Sequence, residues 1–85
     1  MTFSLVIAPA AQKQLAALDK DIFRRLDAKI LALADNPRPH GVVKLTGPDE
    51  LWRVRVGDWR IVYTIQDREL IVLIVKVGHR RDIYR

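Results

Sequence analysis

Residues 51–63 read L-W-R-V-R-V-G-D-W-R-I-V-Y, and no other stretch of the chain restricts its fold as severely. Apolar and charged residues alternate with a period of two, the spacing of a half-buried strand. Gly57-Asp58 breaks the alternation with a two-residue turn of the kind that closes antiparallel hairpins. That turn sets the register: Val56 opposes Trp59, Arg55 opposes Arg60, and Val54 opposes Ile61. Directly opposed residues share a face. Trp52, Val54, Val56, Trp59, Ile61 and Tyr63 therefore form one apolar face, which needs a covering layer. Arg53, Arg55 and Arg60 collect on the other.

Opposed like charges destabilise a hairpin by up to roughly 1 kcal/mol. A chain selected for folding alone would place a glutamate or a threonine at one of these positions. Long arginines splayed into water would reduce the repulsion. Three on one face, with further cations in the C-terminal segment, point instead to an anion site. Arginine suits phosphate because its planar fork stays charged and donates paired hydrogen bonds. Val62, Leu73 and Val75 belong to the same face and would give the cations an apolar floor.

The covering layer is legible upstream. Phe3 to Ile7 reads as a first strand, and Pro9 stands where the first turn of a helix tolerates proline. Ala11, Leu15 and Leu18 make a short helical stripe. Asp19 or Asp21 is positioned to cap a second helix over about 21–35, whose stripe is Ile22, Leu26, Ile30 and Leu33. Asn36-Pro37 stops it and N-P-R-P-H-G forms a loop. Strands are expected at about 42–45, 51–56, 59–66 and 69–77, with one strand bent at Gly47-Pro48 as the alternative for the first two. The order is β-α-α-β-β-β. The expected fold is an α+β domain spanning 1–85, with a helical hairpin packed on a small twisted antiparallel sheet.

Composition narrows the chemistry. The chain has 85 residues, 49% hydrophobic and 29% charged, a globular balance for one small domain. It has no cysteine, which excludes disulfides, zinc–thiolate sites and thiol nucleophiles. The longest apolar run, Leu70 to Val75, is too short to cross a bilayer. The N-terminus does not read as a secretory signal, so a cytoplasmic location with no membrane partner is expected. The net charge of +5 favours polyanionic partners. No carboxylate or histidine cluster suggests a metal, and no cofactor is expected. His40 reads as a surface loop residue. His79, beside Arg80 in the tail V-G-H-R-R-D-I-Y-R, is a candidate auxiliary group, and Gly78 allows the tail to turn over the arginine face.

The run K-L-T-G-P-D-E-L-W-R-V-R-V-G-D-W-R-I-V-Y, its preceding N-P-R-P-H-G loop and the closing V-G-H-R-R-D-I-Y resemble the RelE branch of the RelE/ParE toxin superfamily. The resemblance covers essentially the whole chain. It implies a RelE-like fold and a toxin of a type II toxin–antitoxin system. It further implies an endoribonuclease that cleaves messenger RNA in the ribosomal A site, an mRNA interferase, with a cognate RelB-like antitoxin as partner. Residue by residue, it assigns Arg53 and Arg55 to the basic positions of the sheet and Arg60 to the arginine that grips phosphate. Arg80 matches the tail arginine and Tyr84 the C-terminal tyrosine implicated in catalysis. One departure matters: the best-known RelE toxin has lysines where Arg53 and Arg55 stand, and arginine is a poor proton acceptor.

Metal-independent attack of a 2′-OH on its own phosphodiester needs a base, cationic donors for the phosphorane charge, and an acid for the leaving oxygen. The candidate catalytic residues are Arg55, Arg60, Arg80 and Tyr84, with Arg53, His79, Arg81 and Lys44 as RNA or phosphate contacts. Tyr84 is either the base, its pKa lowered by nearby arginines, or a platform for a nucleobase. Contacts to ribosomal RNA are expected from Arg24, Arg25, Lys29, Lys13, Lys20 and Lys44. Two other readings stand beside this one: a ParE-type gyrase poison on a related fold, and an RNA-binding module without chemistry.

Overall fold

The structure, a computed structural model, describes residues 2–83. The chain runs β1 (Ser4–Ile7), α1 (Pro9–Ala16), α2 (Lys20–Asp35), β2 (Val43–Lys44), β3 (Trp52–Val56), β4 (Trp59–Gln66), β5 (Ile71–His79) and α3 (Arg80–Ile83). The five strands form one sheet in the order β1-β5-β4-β3-β2. The α+β architecture is the expected one. The four later strands pair antiparallel, and β1 adds a parallel edge by pairing with Ile71–Ile74 of β5. That pairing follows from the two helices, which carry the chain between the first strand and the rest of the sheet as a crossover requires.

Local chemistry explains most boundaries. Pro9 opens α1 at a position whose N–H would have no intrahelical partner. Asp19 occupies the N-cap of α2 in extended geometry, yet its carboxylate makes no capping hydrogen bond. Its contribution, with Asp21 in the first turn, is negative charge at the positive end of the helix dipole. At the other end Asn36 is extended ahead of Pro37, which disfavours helical geometry in its neighbour. The strands expected at about 42–45 and 51–56 form separately as β2 and β3, joined by a loop in which Gly47 (φ 129°) and Glu50 (φ 49°) take left-handed backbone.

The core lies between the helices and the predicted apolar face. Ala11, Leu15, Leu26, Ile30 and Leu33 meet Val54, Ile61, Tyr63, Val72, Ile74 and Val77, with Trp52, Val56 and Trp59 packed at the margin. Each fully buried large side chain stabilises the fold by roughly 1.5–3 kcal/mol relative to exposure. Tyr63 is completely buried, and its hydroxyl donates to the carbonyl of Pro37 at 2.7 Å. Burial pushes its pKa up to about 12, against a smaller lowering by Arg38.

One irregularity interrupts the β4–β5 ladder. Val62 pairs with Lys76 and Tyr63 with Ile74, leaving Val75 as the extra residue of a bulge. Beyond Ile74 the outer edge of β5 has no strand beside it. There Gln14 of α1 accepts the Val77 N–H at 2.7 Å through its side-chain oxygen.

Candidate functional site

The hairpin of β3 and β4 has the register its sequence predicts, with Arg55 opposite Arg60 and Val56 opposite Trp59. On the face away from the helices, Arg53, Arg55 and Arg60 line a cleft of about 310 Å³ together with Gly41 and Val43. Arg60 is flanked by Arg55 on one strand and by Gly78 on the other.

The two facing arginines do not simply splay apart. Arg55 Nε donates to the Gly57 carbonyl at 3.1 Å, and Arg60 Nη1 donates to the same oxygen at 3.1 Å. Arg60 Nη1 also reaches the Trp59 carbonyl at 3.0 Å. The negative end of one turn dipole thus sits between two cations. This offsets part of their repulsion and fixes both forks relative to the turn.

Arg60 is only 8% exposed and is the one buried charged residue among the described residues. Neither it nor Arg55 has a carboxylate partner there, since the one ion pair among the described residues joins Arg38 and Asp67. A buried charge held only by neutral carbonyls is costly. An anion entering the cleft would relieve that cost and find donors already oriented.

The wall of the cleft comes from the loop after α2. Arg38 forms a two-pronged pair with Asp67 in the β4–β5 turn, Nη1 to Oδ1 at 3.2 Å and Nη2 to Oδ2 at 2.9 Å. Its guanidinium also lies 5.3 Å from the Trp52 ring centre. The hydrogen bond from Arg38 holds the Asp67 carboxyl below its ordinary range, and the same bond raises the pKa of Arg38. With the Tyr63–Pro37 bond, these contacts anchor the loop that delivers Gly41 and Val43 to the arginines.

The remaining predicted residues divide. The Arg80 N–H donates to the Asp58 carbonyl at 2.8 Å, which ties the start of α3 to the tip of the hairpin. The Arg80 and Arg81 side chains are exposed. His79 pairs with Trp59 and meets its ring edge-on, centroids 5.6 Å apart. It therefore lies on the helix side, in a second cleft of about 290 Å³ with Gln14, Leu18 and Trp59, and not among the sheet arginines. Lys44 pairs with Trp52 and holds its ammonium 5.8 Å from that ring, again on the opposite face from Arg53. Tyr84 lies outside the described residues. The sequence reading missed the Gly57 carbonyl as an anchor and the Arg38–Asp67 latch. The first had a local signal, because a carbonyl in a two-residue turn between facing arginines has few other donors. The second joins residues far apart in the chain and had none.

Among the described residues, no group of three or more histidine, aspartate or glutamate side chains could hold a metal ion. No helix there is long and apolar enough to cross a membrane.

Comparison with known proteins gives this arrangement a family. The profile of a family described as "ParE toxin of type II toxin-antitoxin system, parDE" matches residues 5–84. A Methanocaldococcus jannaschii protein named toxin RelE1 is 30% identical over 88 residues, covering 100% of this chain and 98% of the relative. A RelE-like toxin protein of Escherichia coli is 31% identical, covering 99% and 92%. The RelE–RelB complex of Pyrococcus horikoshii contains a chain 30% identical to this one, with a TM-score of 0.84 over 96% of this chain and 99% of that one. With a family profile spanning nearly every residue and relatives of matching length, the chain belongs to the RelE/ParE superfamily of type II toxin–antitoxin toxins.

Proposed function

We propose that this toxin is a RelE-like endoribonuclease that inhibits translation by cutting messenger RNA in the ribosomal A site. The observation that carries the reading is the arginine cleft, with the buried Arg60 oriented by carbonyls and without a carboxylate partner among the described residues. Its donors are arranged for a phosphate in which charge accumulates during reaction. In the proposed step the 2′-oxygen forms a bond to phosphorus as its proton passes to a base. The phosphorus–5′-oxygen bond breaks, and the leaving oxygen takes up a proton. Arg55 and Arg60 stabilise the phosphorane, with Arg53 assisting. Arg80 binds phosphate or protonates the leaving oxygen. Tyr84 accepts the 2′-OH proton or stacks on a base.

A RelB-like antitoxin is the proposed partner, since the Pyrococcus horikoshii relative is a complex with RelB. Val6 and Leu73 stand side by side on the face away from the helices, and Val6 is 45% exposed. An antitoxin segment that folds on binding would cover that strip.

The test is in vitro translation of a defined messenger followed by primer extension, with and without ribosomes. Cuts confined to ribosome-occupied codons are expected. The ParE profile keeps a second reading in play, a gyrase poison. Uncut messenger together with trapped gyrase–DNA complexes would establish that reading in place of the first.

A further inference from the structure

The β3–β4 turn carries a third guanidinium, from outside the sheet. A Cβ built on Gly57 would lie 2.6 Å from Arg25 Nη2 and 3.6 Å from Arg25 Cζ. Arg25 of α2 therefore lies directly against the residue whose carbonyl anchors Arg55 and Arg60. Gly57 has φ +61°, so the turn backbone favours glycine here, and the absence of a Cβ leaves room for the Arg25 guanidinium.

The choice of neighbour is informative. Asp21 stands four residues before Arg25 on the same helix, a spacing at which acid followed by base is a favourable pair. That pair is not formed, and Arg25 has no hydrogen bond or ion pair among the described residues. The carboxylate of Asp58, in the same turn, pairs with no cation among the described residues either. Arg25 instead brings its charge to a tip that already holds two cations. Coulomb repulsion disfavours this arrangement unless an anion completes it. Packing alone does not require it, because Arg25 is exposed and fills no core space.

The geometry points to Arg25 as a phosphate-binding residue of the same site, so that the RNA-binding surface continues from the arginine cleft over Gly57 onto α2. Its ligand is a backbone phosphate of single-stranded RNA next to the one held in the cleft. This rests on the reading of the cleft as an RNA site. Arg25 contributes binding and takes no part in the chemical step. Arg68 is the internal control, an exposed arginine of the β4–β5 turn, at the opposite end of β4 from Gly57.

The experiment is titration of the purified toxin with a fluorescent 2′-O-methyl RNA, which binds but cannot be cut, across a range of salt concentrations. One lost phosphate contact on a single strand lowers the slope of log K against log salt by about 0.7. Arg25→Gln is expected to show that loss with severalfold weaker binding, and Arg68→Gln to match the wild type. Equal slopes for the two variants, or no binding by the wild type, would overturn the inference. The same proteins are assayed for messenger cleavage on ribosomes. A slope change specific to Arg25 with messenger left intact would sustain the Arg25 site and remove the cleavage reading. Cleavage by a toxin whose Arg25 and Arg68 variants bind alike would do the reverse.

Discussion

Arg38 and Arg60 are held in opposite ways. Arg38 is 45% exposed in its side chain and has an aligned carboxylate, Asp67, besides an aromatic ring under its guanidinium. Arg60 is nearly enclosed and, among the described residues, has only the Gly57 and Trp59 carbonyls. The first charge is neutralised within the protein, so its work is structural: it ties a loop to a turn and steadies one wall of the cleft. The second is oriented but not neutralised, which leaves its field available to a ligand. The contrast separates scaffold from site where composition would count two equal cations.

The comparison breaks most readily at Arg60. Arg60→Ala is expected to lower messenger cleavage roughly 100- to 1,000-fold, the usual cost of one preorganised transition-state donor. Far-ultraviolet circular dichroism should report a retained fold. Arg60→Lys restores a point charge without the fork and should recover only part of the rate. A cleavage rate like that of wild type in Arg60→Ala would dissolve the distinction between the two arginines.

Tyr63 sharpens the scaffold side, because it anchors the same loop from within the core. Tyr63→Phe leaves the buried Pro37 carbonyl without its donor and should cost about 1–3 kcal/mol in urea unfolding. The folded pKa is raised from 10.0 to about 12, so the stabilising contribution is complete below pH 10 and is lost as pH rises through 12. Wild type and Tyr63→Phe should therefore converge in stability above that window. Parallel stability curves up to pH 12 would count against the hydroxyl as the anchor.

The smallest effect belongs to Asp67→Asn. Arg38 keeps the Asp67 carboxyl below its ordinary range, so the pair stabilises the fold above the unfolded pKa of 3.8 and fades as pH falls through the lower folded value. The variant should melt slightly below wild type at pH 7 and approach it as the pH falls below that lowered folded value, and its cleavage should drop by no more than a few-fold. A loss as large as that of Arg60→Ala would mean that Arg38 and Asp67 belong to the chemistry.

The hairpin was legible because its information is local. Alternation with period two and a two-residue turn fix which residues oppose one another, and hence that Arg53, Arg55 and Arg60 share a face. The helical stripes were legible for the same reason, from Ala11 and Leu15 to Leu33. His79 and Lys44 show where such reading fails. Both are cations or near-cations close in sequence to site residues, yet strand parity turns them toward Trp59 and Trp52 on the far face.

By itself, then, the chain determined the α+β order, the apolar face, the arginine face and the likeness to RelE toxins, all set by short-range periodicity and motif spacing. Packing decided the rest. The parallel docking of β1 on β5, the bulge at Val75 and the Arg38–Asp67 latch join residues that meet only after the helices have folded back over the sheet. The same step lays Arg25 against Gly57. The physical reason is that a strand's register propagates residue by residue. A contact between distant segments depends instead on how two separately formed surfaces fit, which no local pattern encodes.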